Sequence, residues 1–266
     1  MKRLIAILIL NFTSSVQALE PSYFVFDQTN NEIVVGEQTD IVRPMASLTK
    51  LMTALLVIES TPNWNEKIKY RGNIFFHSHV TKRELLESLL IRSDNNAAEA
   101  FANNWYSGRK GFINDMNTRA RQLGMLQTVY ADPSGLDKHN VSTAIDLSKL
   151  VAEAAKHNDI IEISSSKYLT IERKIRKKIS YVSIGNTNKN LLFEFDNIIL
   201  SKTGWTNPAG RCLALMVEKS QNRFIIIILG EKTVIDRENR ARQLINNYVT
   251  IKEKEVHENR IHLFNF

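Results

Sequence analysis

The sequence predicts an α+β domain with a mainly antiparallel sheet flanked by helices. Two observations carry this prediction. Strand-like apolar segments occur near both ends of the 266-residue chain, and helical patterns with recognisable start signals fill the stretch between them. Strands at both ends with helices between them favour a layered α+β domain over the other classes.

Residues 1–18 have the three regions of a secretory signal peptide. Met1-Lys2-Arg3 is positively charged, residues 4–10 are apolar, and residues 16–18 are small or polar. The apolar run is too short to span a bilayer. We therefore expect cleavage after residue 18, one domain over residues 19–266, and a periplasmic location after export across the inner membrane.

The first predicted elements of that domain are a β-hairpin and a buried helix. Residues 23–26 and 32–35 are strand-like and flank five turn-forming residues. Pro44 then restricts the backbone, and Ser47 stands where an apolar helix would begin.

Five more helices and a group of strands follow. Thr81 and Glu84 form a capping box ahead of one helix, and Gly124 marks the end of another. The helix that ends at Gly124 is expected over 111–123. The others are expected from about residue 96 to 105, from 143 to about 157, and over 236–249. Strands are expected at 168–171, 198–201, 211–217 and 224–229, the last two forming a hairpin.

Composition limits the classes of function. The chain has 35 basic and 28 acidic residues, and this excess permits contact with an anionic polymer or surface. The basic residues are dispersed except at 173–178, which predicts a solvated surface segment, so we expect no nucleic-acid partner. A single cysteine, Cys212, excludes an intramolecular disulfide and is expected in the core. His77, His79 and His157 lack metal-ligand spacing, so no metal or other cofactor is expected.

Ser47 and Lys50 are the first residues that indicate chemistry. Their spacing places a hydroxyl and an amine on one helical face. An amine whose ammonium form is disfavoured by burial or by a nearby cation can accept a serine proton. The same S-x-x-K pattern occurs at residues 107–110 and 164–167, but only the first copy opens an apolar helix. The pair therefore suggests acyl transfer.

Two further motifs stand in suggestive places. Ser93-Asp94-Asn95 falls at the corner between two predicted helices, and Lys202-Thr203-Gly204 follows a predicted strand. Each is weak alone, because serine, aspartate and asparagine are also common helix caps. The ordered set S-x-x-K, S-x-N and K-T-G is far more specific than any of its members.

This ordered set resembles the motifs of the penicillin-recognising serine hydrolases. The chain is most similar to the penicillin-binding serine DD-peptidases of the low-molecular-weight D-alanyl-D-alanine endopeptidase type, through residues 46–54, 92–98, 132–144 and 202–212. The resemblance implies a β-lactamase/DD-peptidase-like domain that hydrolyses D-alanyl peptide bonds of peptidoglycan.

The resemblance also implies a role for each motif residue. Ser47 would attack the peptide carbonyl, Lys50 would take its proton, and Ser93 would relay a proton to the leaving amine. The backbone N–H groups of Ser47 and Trp205 would form the oxyanion hole. The residues implied in substrate binding are Asn95, Lys202, Thr203, Gly204 and Arg237.

Several activities stay open at this point. The segment 202–212 favours a crosslink-cleaving endopeptidase over a DD-carboxypeptidase. A β-lactamase is less favoured, because neither Glu162 nor Glu194 lies in a segment resembling a water-activating loop. A non-catalytic penicillin-binding or wall-binding module is disfavoured, since all the catalytic groups are present. The expected partners are peptidoglycan peptides and β-lactam inhibitors, with no stable membrane anchor because residues 252–260 are highly charged.

Overall fold

The computed structural model describes residues 20–175 and 178–249. In chain order its strands are β1 (Ser22–Asp27), β2 (Glu32–Glu37), β3 (Arg43–Pro44), β4 (Lys67–Lys69), β5 (His79–Thr81), β6 (Val141–Ser142), β7 (Tyr168–Ile175), β8 (Lys178–Gly185), β9 (Ile198–Thr206), β10 (Gly210–Lys219) and β11 (Asn222–Glu231). Its helices are α1 (Lys50–Glu59), α2 (Lys82–Ile91), α3 (Asn95–Asn103), α4 (Gly108–Gln122), α5 (Ala144–Ala154), α6 (Asn158–Ser165), α7 (Lys189–Glu194) and α8 (Val234–Leu244). A 3₁₀ turn, Ala46–Thr49, precedes α1, and a π-helical turn, Ile245–Val249, follows α8.

One five-stranded antiparallel sheet organises the protein. Its strand order is β2-β1-β11-β10-β9, so the N-terminal hairpin pairs with the C-terminal strands. Strand β1 lies in register against β11 from Ser22 opposite Leu229 to Asp27 opposite Phe224. The α+β prediction with a mainly antiparallel sheet is therefore confirmed, and β9 forms one edge of the sheet.

Both faces of this sheet are covered by apolar side chains. Along β11, Ile225, Ile227 and Leu229 pack into the larger core with the central helices. The residues between them, such as Ile226 and Ile228, pack into a second core that includes α7 and α8. A strand buried on both faces has a continuous apolar sequence, which explains the unbroken run at 224–229.

The predicted helix signals act as expected. The Thr81 side chain accepts the Glu84 N–H, and Glu84 contacts the Thr81 N–H in return. Thr143 caps α5 through the Asp146 N–H. Gly124, just beyond α4, has a φ of +69°. These local hydrogen bonds satisfy helix-end groups that have no partner inside the helix.

Several boundaries differ from the sequence prediction. Helix α1 begins at Lys50 and not at Ser47, because the chain first makes the 3₁₀ turn. Strand β9 runs on through the K-T-G motif. Strand β8 and the short helices α6 and α7 were not predicted. The predicted signal peptide, the charged 252–260 segment and the side chains of the basic run at 173–178 lie outside the described residues.

No helix within the described ranges has the length and apolar character needed to cross a membrane.

The 3₁₀ turn is held between two glycines. Gly135 has a φ of +86°, and a Cβ atom there would lie 2.0 Å from the Ala46 carbonyl oxygen. Gly204 on β9 approaches from another side, where a Cβ atom would lie 3.0 Å from the Ser47 nitrogen. Ala46 itself has a φ of +47°, which is costly for a residue with a side chain. The surroundings of the turn therefore fix its conformation.

We predict that Gly135→Ala lowers the free energy of unfolding more than Gly124→Ala does. Both changes place a side chain at positive φ, at a cost of about 1–2 kcal/mol. Only Gly135→Ala also forces a clash with backbone, for about 1–3 kcal/mol more, since a Cβ at Gly124 meets nothing within 4 Å. Equal denaturation midpoints for the two variants would show that the turn is not tightly held.

Candidate active site

The 3₁₀ turn brings Ser47 and Lys50 into contact. Residues three apart eclipse one another in 3₁₀ geometry, so their side chains meet directly. The Lys50 Nζ lies 2.9 Å from the Ser47 Oγ. Lys50 is fully buried, although it is the first residue of α1. A fully buried amine therefore lies against a partly exposed hydroxyl.

Two other groups complete the surroundings of the Lys50 amine. Its Nζ lies 2.7 Å from the Asn95 Oδ1 and 2.5 Å from the Ser134 carbonyl oxygen. Both oxygens can only accept hydrogen bonds. When Lys50 is neutral, its lone pair therefore has one neighbour among these three that can donate a proton, the Ser47 hydroxyl.

Burial shifts the pKa of Lys50 toward neutrality. The pKa of Lys50 is lowered from 10.5 to about 7, because removal of the amine from water lowers it by more than the carboxylates of Asp132 and Asp94 raise it. Loss of hydration disfavours the charged ammonium. A large fraction of Lys50 is consequently neutral near pH 7, as a proton acceptor for Ser47 requires.

The corner between α2 and α3 presents Ser93 and Asn95. Ser93 has a φ of +58°, and its buried Oγ has no hydrogen-bond partner among the described residues. Asp94 fixes the corner: it caps α3 through the Asn96 N–H and accepts a 2.8 Å hydrogen bond from the Tyr70 hydroxyl. The corner leaves the Ser93 hydroxyl free to bond to a ligand.

The K-T-G motif lies on β9 at the sheet edge. The Ser201 N–H points away from β10, because it donates to the Ser164 Oγ of α6 at 3.3 Å. Backbone amides alternate in direction along a strand, so those of Thr203 and Trp205 also point away from β10. The Ser47 amide nitrogen lies beside Gly204 on the same strand. The backbone N–H groups of Ser47 and Trp205 thus lie in the same part of the site.

A buried cationic pocket adjoins this strand. Lys202 is 1% exposed and donates to the Thr203 carbonyl oxygen at 3.0 Å. Burial lowers the pKa of Lys202 well below its ordinary value, and the positive charges of Lys50 and Arg237 lower it further. Arg237 is 4% exposed, and its Nε has no partner in the described chain. Such a pocket favours an anion.

The Glu238 carboxylate lies near Arg237, but it also contacts Arg242. Glu238 lies 3.6 Å from the Arg237 Nη2 and 3.5 Å from the Arg242 Nη2. Burial lowers the pKa of Arg237, while the Glu238 carboxylate raises it in part. Thr203 completes the pocket, with its hydroxyl 2.7 Å from the Thr187 hydroxyl.

The loop at residues 132–140 supplies groups that the sequence analysis did not assign to the site. Asp132 accepts the N–H groups of Ser134 and Gly135 at 2.7 and 2.5 Å. The Asn140 side-chain amide donates to the Asp132 carboxylate and to the hydroxyl of Thr49, a residue of the 3₁₀ turn, each at 3.1 Å. The loop is a turn, but it also aims the Ser134 carbonyl at Lys50. In the sequence, the signal that could have placed this loop at the site was the resemblance of residues 132–144 to the DD-peptidases.

Other candidates play no part in this arrangement. Cys212 is fully buried in β10, as predicted, and burial raises the pKa of its thiol to about 11. Among the described residues, no group of three or more histidine, cysteine, aspartate or glutamate side chains could hold a metal ion. The described arrangement combines a serine hydroxyl beside a buried amine, a second hydroxyl with no partner in the described chain, and two buried cationic side chains, and these are groups that acyl transfer can use.

Known proteins are similar to this chain in sequence and in fold. The chain is 31% identical to a D-alanyl-D-alanine endopeptidase of Escherichia coli, over 78% of this chain and 70% of that one. It is 32% identical to one of Pseudomonas aeruginosa with the same coverage. Penicillin-binding protein D2 of Listeria monocytogenes, solved with cefotaxime bound, superposes with a TM-score of 0.75 at 30% identity, covering 85% of this chain and 95% of that one.

The fold is thus that of the penicillin-binding DD-peptidases, which is the β-lactamase-like fold. The family model described as D-alanyl-D-alanine carboxypeptidase, peptidase family S11, matches residues 12–233. This match spans all the motif residues from Ser47 to Gly204 and the strands and helices that position them. The chain therefore belongs to the D-alanyl-D-alanine carboxypeptidase family of peptidases.

Proposed function

We propose that this protein is a serine DD-peptidase that cleaves D-alanyl peptide bonds of peptidoglycan, with a preference for crosslinks. The observation that carries the proposal is the buried Lys50 amine, held 2.9 Å from the Ser47 hydroxyl. Its other two partners are oxygens that cannot donate a proton. Family membership supports the substrate class, and the similarity to proteins named endopeptidases supports the preference.

Acylation begins when substrate lies along β9 with its carboxylate against Lys202, Thr203 and Arg237. Neutral Lys50 takes the Ser47 proton while Oγ bonds to the D-alanyl carbonyl carbon. The backbone N–H groups of Ser47 and Trp205 stabilise the negative charge on the carbonyl oxygen.

Collapse of the tetrahedral intermediate breaks the peptide bond. The proton held by Lys50 passes through the Ser93 hydroxyl to the leaving nitrogen, which departs as an amine. Asn95 holds the Lys50 amine in place during this transfer. Water then attacks the ester carbonyl carbon and gives a proton to Lys50, and Lys50 passes this proton to the Ser47 Oγ as the bond from Oγ to the acyl group breaks and the acid product leaves.

The proposed setting is the periplasm, reached through the signal peptide at residues 1–18. Membership of a family that acts on peptidoglycan peptides supports an extracytoplasmic site of action. A DD-carboxypeptidase is the second candidate, because the family description names that activity. The two activities share the acyl donor and differ in whether the leaving amine belongs to free D-alanine or to a neighbouring stem peptide.

Benzylpenicillin is expected to acylate Ser47. The β-lactam carbonyl would enter the same amide region, and its carboxylate would bind the cationic pocket. Intact-mass analysis should show one adduct per chain, which peptide mapping places at Ser47 and which Ser47→Ala abolishes. An adduct on Ser107 or Ser164 would contradict the assignment.

The acylation rate should rise with pH through about 7 and then level off. Below that pH Lys50 is protonated and cannot accept the serine proton, and above it the neutral amine predominates. Lys50→Arg, which stays protonated, should acylate about 10²–10⁴-fold more slowly. Lys202→Arg keeps the pocket charge and should retain more activity. A near wild-type rate in Lys50→Arg would show that Lys50 is not the base.

Crosslinked muropeptide should be cleaved in preference to a monomer ending in D-alanyl-D-alanine. The comparison is the ratio of kcat/KM for matched dimer and monomer, since this ratio reports differential transition-state binding. Mass analysis identifies each product. A higher kcat/KM for release of free D-alanine would favour the carboxypeptidase and leave the assignment of Ser47 and Lys50 intact.

A further inference from the structure

The edge of β9 gives the bound substrate a direction. The proposed function, on which this inference rests, puts the leaving-group carboxylate at Lys202 and the reacting carbonyl at the Trp205 amide. These residues are three apart, or about 10 Å along a strand. An extended peptide added to this edge would therefore continue its acyl-donor part past Trp205, toward Thr206.

Arg211 lies at this donor end of the site. It is the cross-strand partner of Trp205 in the β9–β10 pair. Its guanidinium carbon lies 4.4 Å from the centre of the Trp205 ring, and that ring is 52% exposed. A guanidinium stacked on an aromatic ring is held in one orientation, and the N–H groups at its rim stay available to acceptors.

Within the described part of the chain, the Arg211 guanidinium has no anionic partner. Its Nε is buried and has no hydrogen-bond acceptor among residues 20–175 and 178–249. The acid opposite it on β11, Glu231, instead contacts the Arg240 Nε at 3.2 Å. The positive charge of Arg211 also lowers the pKa of Arg237, so both add to one positive potential.

We propose that Arg211, held flat on Trp205, is an anion subsite on the acyl-donor side of the site. Its ligand would be the free side-chain carboxylate of the stem-peptide residue that precedes the reacting D-alanyl group. Its ligand differs from that of the neighbouring pocket of Lys202 and Arg237, which receives the carboxylate of the leaving group. Donor stems that carry a free carboxylate at that residue are then preferred over stems in which it is amidated.

Two penicillins that differ in one group test this directly. One has an acylamino side chain ending in a carboxylate, and the other ends in the corresponding carboxamide. The wild-type protein should be acylated about tenfold faster by the carboxylate form, measured as the second-order rate constant, because a charge-assisted pair is lost in the amide. Arg211→Gln should bring the two rates within about twofold. Arg211→Lys should keep part of the preference.

Arg223→Gln is the matched control. It makes the same substitution at an arginine on β11 that pairs with Glu218, and it should keep the full preference. Unchanged acylation of Arg211→Gln by the carboxamide penicillin shows that the variant is folded. Equal wild-type rates, or a preference that survives in Arg211→Gln, would overturn the subsite.

Matched stem peptides with a free or amidated donor carboxylate extend the test to hydrolysis. The same loss of preference in Arg211→Gln is expected in kcat/KM. Cleavage of neither peptide by wild-type protein would overturn the proposed peptidase function. The penicillin rates would still decide the role of Arg211, because they do not depend on hydrolysis.

Discussion

The burial of one amine is the constraint on which the site depends. Lys50 is the first residue of a helix and could have reached solvent, yet it lies inside the protein with three oxygen atoms around its Nζ. A buried ammonium is costly unless it is well paired, and the neutral form relieves that cost. The nearby carboxylates of Asp132 and Asp94 limit the shift, so that the pKa stays near neutrality.

Local strain accompanies this arrangement. Ala46 and Ser93 both adopt positive φ. Ala46 directly precedes Ser47, and Ser93 itself takes part in the proposed mechanism. Conformations of this kind cost of order 1–3 kcal/mol and persist where the surrounding structure enforces them. Here Gly135 and Gly204 hold one turn, and the Asp94 hydrogen bonds hold the other. The two apolar cores of the sheet supply the rigid support.

Local signals in the sequence predicted much of this structure. The capping box at Thr81 and the hairpin after residue 22 depend on neighbouring residues, and both were predicted. The motifs also identified Ser47, Lys50 and Asn95, which the fold brings together from the 3₁₀ turn, α1 and α3. The Ser134 carbonyl could not be found in this way, because any residue offers a carbonyl and tertiary structure alone aims it. The burial of Lys202 on β9 and of Arg237 on α8 likewise depends on tertiary packing.

The cationic pocket links ligand binding to protons. Lys202 lies beside Lys50 and Arg237, and their charges together with burial favour its neutral form in the free protein. An entering carboxylate supplies the missing negative charge and favours the ammonium again. Anion binding at this pocket and protonation of Lys202 therefore favour each other. Affinity for anionic ligands is then set by pH as well as by shape.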